Sequence, residues 1–276
     1  MEKLKVNLID KSFIKCGPSC GTGESGINPK YLEWRINYKS PITVFTDQCL
    51  DLPLSDSLYN IAWLLESITI SPSLYSNPSK YDKFDYVLTH DKQLLEVSDK
   101  FLFVPVGGHW IYEKNQGLHI KTKMLSIIAS YKNQSIGHKL RHEVISKYRK
   151  QIDGLFGNGY QFIQNKITGL QDYRFHIVIE NIQNDYYFSE KLIDALITGC
   201  IPIYYGMDSI GDFFDDRGIL SFKTMDDLDN IIKNYVNESF YNSIKNKGIL
   251  QNNFNIAKDY LTPEDYMFKY YLNKLR

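Results

Sequence analysis

Short apolar runs alternate with polar stretches along the first hundred residues. LKVNLID (4–10), ITVFTD (42–47), YNIAWLLE (59–66), DYVLTH (85–90) and KFLFVPV (100–106) are rich in β-branched or aromatic residues and end in polar or turn residues. That pattern predicts strands, and their near-continuous apolar character predicts cover on both faces. The stretch from Asn28 to Tyr38 predicts a helix between the first two strands, giving α/β spacing. GGHW (107–110) and the polar EKNQGLHIKTK (113–123) interrupt the rhythm and place a domain boundary near residue 118. The second half restarts with the strand run MLSIIAS (124–130). It continues with GHKLRHEVISKYRK (137–150), where Leu140, Val144, Ile145 and Tyr148 form a helical apolar stripe, and with a short strand in DGLFG (153–157). The expected architecture is α/β: two Rossmann-like domains, 1–118 and 119–276, facing each other across a cleft.

The segment YRFHIVIENIQNDYYFSEKLIDALITGCIPIYYG (173–206) carries the densest chemistry. FHIVIE reads as a strand that stops at Asn181, and IQNDYY as a polar, aromatic loop. Ser189 stands where an N-cap belongs. A helix follows with Leu192, Ala195 and Leu196 at helical spacing, Gly199 ends it, and IPIYYG is the next strand. A helix start attracts anions. Lys191 in that first turn runs against the usual charge preference, so it reads either as a phosphate ligand or as an ordinary surface lysine.

Composition adds little until charge is divided along the chain. The 276 residues carry 32 basic and 32 acidic side chains, which argues against a surface that grips nucleic acid as a whole. Residues 1–120 hold 12 basic against 14 acidic residues, 121–176 hold 10 against 3, and 177–276 hold 10 against 15. The overall neutrality therefore hides a basic block in 121–176. The N-terminus shows no long apolar leader, and no window approaches the ~18 apolar residues of a membrane span. The expectation is a soluble, cytoplasmic protein. Cys16 and Cys20 have no matching ligand pair and read, with Cys49 and Cys200, as reduced thiols. His90, His138, His142 and His176 show no metal-ligand spacing.

YRF (173–175), IEN (179–181), DYYFSEK (185–191) and ALITGCIPIYYG (195–206) together resemble the donor-binding motif of glycosyltransferase family ten, the α1,3/α1,4-fucosyltransferases, of the short bacterial or viral type. SIIASYKNQSIGHKLRHEVI (126–145), DGLFGNG (153–159) and ILSFKTMDDLDNII (219–232) look like further segments of that family, whereas the first 80 residues match poorly. Ile182 and MDS (207–209) depart from the pattern near the sugar or the base, which leaves another GDP-sugar, or a catalytically silent nucleotide- or glycan-binding protein, as alternatives.

The resemblance implies the GT-B fold and transfer of fucose from GDP-fucose, with inversion, to a glycan acceptor containing GlcNAc or Glc or to a lipid-linked precursor. It implies that Asn181, Tyr187, Glu190, Lys191 and Arg141 line the donor site. Lys191 and Arg141 would neutralise the diphosphate, Glu190 would bind the ribose hydroxyls, and Tyr187 would pack near the nucleotide. Departure of a diphosphate demands such positive charge. The acids of DDRG (215–218) and MDDLD (225–229) read as caps and solvated surface rather than metal ligands. No metal is expected to be required, with Mn2+ or Mg2+ at most stimulating. Inversion also needs a base for the acceptor hydroxyl. Glu66, after an apolar strand, resembles the family's acid, and Asp47, Asp91 and Glu24 remain alternatives. GPSCGTGESG (17–26) lacks a P-loop ending and reads as a loop touching acceptor. In PVGGHWI (105–111), Trp110 reads as packing, or with His109 as an acceptor contact. TPEDYMFKYYLNKLR (262–276) predicts a helix with Thr262 as N-cap and Pro263 first. Its preferred reading is a helix packing back across the two domains, the other being a peripheral membrane contact.

Overall fold

The apolar runs form two parallel sheets. In the computed structural model, residues 2–11, 19 and 28–275 are described. Cys16, Cys20, Glu24 and all of the glycine-rich stretch except Ser19 lie outside them. The first sheet is built from β1 (Leu4–Ile9), β2 (Leu32–Arg35), β3 (Ile42–Thr46), β4 (Tyr59–Trp63), β5 (Tyr86–Thr89) and, after the short helix α1 (Lys92–Leu95), β6 (Phe101–Phe103). Its order is β2-β1-β3-β4-β5-β6.

The second half supplies β7 (Lys123–Ile128), α2 (Ile136–Tyr148), β8 (Gly154–Phe156), β9 (Tyr173–Ile179), α3 (Glu190–Leu196), β10 (Ile201–Tyr205) and β11 (Leu220–Ser221). It ends with α4 (Met225–Asn234), α5 (Glu238–Asn246), α6 (Ile249–Ala257) and α7 (Pro263–Tyr270). The order β11-β10-β9-β7-β8 repeats the winding of the first sheet, with the earliest strand flanked by its second and third. In such sheets the crevice beyond the carboxyl ends of the first and third strands is the place for a ligand. In the second sheet that crevice lies past β7 and β9.

Two corrections to the sequence reading have physical causes. Residues 28–38 contain β2 rather than a helix. Leu32 is buried and Trp34, two residues on, stacks on Trp63 at 5.9 Å, so the operative period is 2. The Asp265 carboxylate also fixes the strand's entry by accepting from the backbone N–H groups of Lys30 (2.7 Å) and Tyr31 (3.1 Å).

The second concerns the domains. The chain divides into a unit of Met1–Gly108, Asp185–Tyr187 and Asp259–Arg276 and a unit of His109–Asn184 and Phe188–Lys258, not at 118/119. The C-terminal segment belongs to the first unit because Met267 and Leu272, both fully buried, share a core with Val6, Leu8, Ile42, Ile61 and Leu88. Thr262 caps α7 by accepting from Asp265 N–H, with Pro263 at its first position.

The second unit has its own core, in which Leu125, Ile127, Phe175, Ile177, Ile201 and Ile203 from three strands meet Val144, Ile145 and Tyr148 of α2. Each such side chain contributes about 1.5–3 kcal/mol by leaving water. Among the described residues no helix is long and apolar enough to cross a membrane.

Leu272→Ala should cost about 2–5 kcal/mol of stability, as expected for a fully buried leucine. Hydrogen–deuterium exchange should quicken in β1, β3 and β4 and stay unchanged in β9. Exchange that quickens in β9 instead would refute the place given to the C-terminal segment.

Candidate active site

At the carboxyl end of β9 the chain buries Glu180 completely. A carboxylate can be held there only if its oxygens are satisfied. Ser189 supplies two donors, its backbone N–H at 2.9 Å and its hydroxyl at 2.7 Å, and the Lys191 ammonium a third at 3.3 Å. Ser189 is also the N-cap of α3, as the sequence reading expects. Glu180 is thus the fastening between the end of β9 and the start of α3. At the far end of the helix Gly199 takes the left-handed conformation (φ 75°), which a side chain would strain.

α2 is fastened to the same strand end. Ser135 caps it in a capping box with His138. Gly137 approaches so closely that a Cβ there would lie 1.8 Å from the Glu180 carbonyl oxygen. Arg141 lies on the buried face of α2. Its guanidinium donates to the Ile179 carbonyl through Nε (3.1 Å) and Nη2, and Nη2 also donates to Asn181 Oδ1 at 3.1 Å. Burial together with the charges of Arg141, Lys132 and Lys191 holds the His138 imidazole down at about 4, so it is neutral at physiological pH.

The first turn of α3 adds a chain of alternating charges. Glu190 Oε1 lies 3.5 Å from the Lys191 ammonium and 3.6 Å from that of Lys166. Burial pushes the Glu190 carboxyl up, but the two ammonium groups outweigh it and hold it ionised, down at about 2. Burial likewise disfavours the Lys191 ammonium, and Glu180 and Glu190 more than offset it, leaving its pKa raised. Lys166 also donates to Asp194 Oδ2 at 2.9 Å and stands 4.6 Å over the ring of Trp110, whose backbone N–H donates to Asp194 Oδ1 at 2.7 Å. Trp110 is half exposed and His109 fully buried.

Sequence reasoning missed Lys166 and Asp194. An acid at a buried position inside the apolar run LIDALI was a usable signal for Asp194. Nothing local marked Lys166. The structure therefore joins Arg141 to Asn181 and Glu190 to Lys191 at one strand edge. A cavity of about 310 Å³ opens instead past β10 and β11, lined by Gln183, Tyr204, Gly206, Asp208, Lys223 and Asp227 among others, and none of Arg141, Asn181, Glu190 and Lys191 lines it.

Tyr187 is not among these groups. It belongs to the first unit, where it is buried with its ring 5.2 Å from that of His90. Burial holds the His90 imidazole down at about 4. Glu66 lies past the end of β4 with an exposed side chain, and its carbonyl accepts from the Tyr75 hydroxyl. Asp47 grips the same segment, accepting from the backbone N–H of Leu65 (2.8 Å) and of Glu66 (3.0 Å). Burial lifts its carboxyl to about 6 despite those bonds. Asp91 is engaged as the N-cap of α1.

Among the acids of 215–218 and 225–229, Asp215 pairs with Arg217 at 2.6 Å, Asp227 completes the capping box of α4 and Asp229 pairs with Lys147 at 2.6 Å. Among the described residues no three His, Cys, Asp or Glu side chains cluster to hold a metal ion.

No family model matches the chain. A stretch of 78 residues is 36% identical to the α-(1,3)-fucosyltransferase FucT of Helicobacter pylori, covering 27% of this chain and 16% of that protein. Another of 70 residues is 30% identical to a fucosyltransferase-like protein of Arabidopsis thaliana, covering 25% of this chain and 14% of that one. The match thus spans far less than two thirds of the length of these relatives. The fold is shared much more widely. A solved α1,3-fucosyltransferase with GDP superposes at a TM-score of 0.61 and 17% identity over 99% of this chain and 90% of its own. TarM superposes at 0.58 and 11% identity over 85% of this chain and 54% of its own. The two parallel sheets are those of the GT-B fold, and the resemblance to α1,3-fucosyltransferases is present in sequence and in fold alike.

Asp194 gives the site a signature in pH. Its pKa is raised to about 6, chiefly by burial and against the pull of Lys166 and the Trp110 N–H. The folded protein thus binds the Asp194 proton more tightly than the unfolded chain does. The stability this contributes is complete below the unfolded value near 4 and is lost as pH rises through about 6. Between pH 5 and 7 the melting temperature of the native chain should fall relative to that of Asp194→Asn. Parallel pH profiles would contradict the assignment.

Proposed function

We propose that the chain is an inverting glycosyltransferase that moves fucose from GDP-fucose to a hydroxyl of a glycan acceptor. One observation carries the reading: Arg141 with Asn181, and Glu190 with Lys191, stand at the carboxyl edge of β7 and β9, Arg141 held there by the Ile179 carbonyl and Asn181, and Lys191 by Glu180. This edge is the ligand position of the fold, and the residues are those that the motif assigns to a donor. The likeness to a fucosyltransferase with GDP supports the choice of nucleotide.

The chemistry follows from the charges. The acceptor oxygen attacks the anomeric carbon, the bond from that carbon to the diphosphate breaks, and GDP leaves with the electron pair. Arg141 and Lys191 balance the growing negative charge. Glu190, held ionised, accepts from the ribose hydroxyls. Tyr187 is assigned to the nucleotide by the resemblance alone. Glu66 takes the acceptor proton. In support, Glu66 has an exposed carboxylate on a segment clamped by Asp47, whereas both Asp47 oxygens hold backbone N–H groups. Fixed cations take the place of a metal, and Mn2+ or Mg2+ would at most stimulate. The acceptor is a glycan containing GlcNAc or Glc, or a lipid-linked precursor.

Lys191→Ala and Arg141→Ala should each lower turnover with GDP-fucose by about 10²–10³, the usual loss when one stabiliser of transition-state charge is removed. Full activity in both would defeat the donor-site reading. Glu66→Gln should lower kcat while GDP affinity, measured by calorimetry, stays unchanged; unaltered kcat would move the base elsewhere. Treatment with EDTA should leave transfer intact, and complete loss restored by Mn2+ would overturn the fixed-cation account.

A further inference from the structure

Lys166 belongs to none of the motif segments, yet it stands at the centre of the charges around Glu190. It opens a single 3-10 turn, Lys166–Gly169, ahead of β9. That turn is fastened by the Ser126 hydroxyl, which donates to the Gly169 carbonyl at 2.7 Å, and by the buried Lys121 ammonium, which donates to the Leu170 carbonyl at 3.0 Å. The side chain is then held from two directions, by Asp194 Oδ2 at 2.9 Å and by the Trp110 ring at 4.6 Å. Asp194 is itself locked by the Trp110 N–H and is only 2% exposed. Lys166 cannot swing away without leaving that buried carboxylate short of its charge partner.

We propose that Lys166, held by Asp194 and Trp110, is a positioning residue that fixes the Glu190 carboxylate to receive the vicinal hydroxyls of a nucleoside ribose. The proposal rests on the reading of Glu190 as the ribose acceptor given above. Both ammonium groups approach the same oxygen, Oε1, at 3.5 and 3.6 Å. Lys191 is shared between Glu180 and Glu190, so its charge is not Glu190's alone. Lys166, which is not shared with Glu180, is the second cation on that oxygen. A carboxylate has about four acceptor positions, so one that is ionised and held in place by Oε1 keeps capacity for hydroxyl donors. A site built this way discriminates strongly against a ligand that lacks the hydroxyls, because its acceptor is then left unpaired.

The test is calorimetric titration of the full chain with GDP and with 2′,3′-dideoxy-GDP, for the native protein, Lys166→Met and Lys166→Arg. Native protein should prefer GDP by about tenfold or more, the scale of a charge-assisted hydrogen bond. Lys166→Met should lose about tenfold in GDP affinity and bind the dideoxy analogue unchanged, so that the preference vanishes. Lys166→Arg, which keeps the cation, should restore most of it. Parallel weakening of both nucleotides in Lys166→Met would mean that Lys166 serves the fold alone and would overturn the proposal. A native-like preference in Lys166→Met would overturn it too, leaving the role of Glu190 intact. Native protein that binds both nucleotides equally would overturn the ribose reading and the proposal with it. Native protein that binds neither would overturn the proposed function itself.

Discussion

A carboxylate without contact to water sits at the end of β9, and the arrangement around it follows from keeping it satisfied. Glu180 would be strongly destabilising if unpaired, since removing one partner from a buried ion pair costs about 3–5 kcal/mol. Satisfying it draws in the Ser189 N–H, the Ser189 hydroxyl and the Lys191 ammonium. Those three bonds set where α3 begins and hold Lys191 against its own desolvation. Lys191 in turn shares Glu190 with Lys166, and Lys166 reaches Asp194. One buried charge thus organises a run of alternating charges along the first turns of one helix. The same strand end receives Arg141 through the Ile179 carbonyl and Asn181.

The first unit, taken by itself, places its chemistry by a related device. Its sheet has the same winding, and acids stand past the carboxyl ends of β3 and β4. There the half-buried acid is the clamp and the exposed one is available: Asp47 spends both oxygens on the backbone at Leu65 and Glu66, and the Glu66 side chain projects to solvent. In both units a carboxylate held by neighbouring backbone or hydroxyl donors fixes a segment that carries a second, more accessible carboxylate.

Sequence made the strands legible because buried parallel strands are nearly continuous apolar runs, as in β9, where only His176 and Arg174 break the pattern. Its failure at 28–38 has a physical reason. The edge strand β2 shows alternation over Leu32 and Trp34 alone, too short to tell from a helix, and its identity comes from pairing with β1 and from Asp265 more than two hundred residues away. The C-terminal segment was legible as a capped helix but not as part of the first unit, because the burial of Met267 and Leu272 against β1 and β4 depends on where the chain returns. Within the site, Asn181, Glu190 and Lys191 were singled out from the 173–206 pattern and Arg141 from a separate segment, 126–145. The clamp that holds them was not. Glu180 reads only as the last residue of a strand until its burial is known. Lys166 meets Asp194 across a separation of 28 residues that no local spacing encodes.

The central claim is that the buried Glu180 carboxylate organises a nucleotide-diphosphate site, and Glu180→Gln tests it with almost no change of shape. The amide oxygen can still accept from Ser189, but the ion pair with Lys191 is gone. Calorimetric titration with GDP should show one saturable site in the native chain and affinity lower by at least about tenfold in the variant, the loss expected for one charge-assisted interaction. Equal GDP affinity in a folded Glu180→Gln chain would contradict the account.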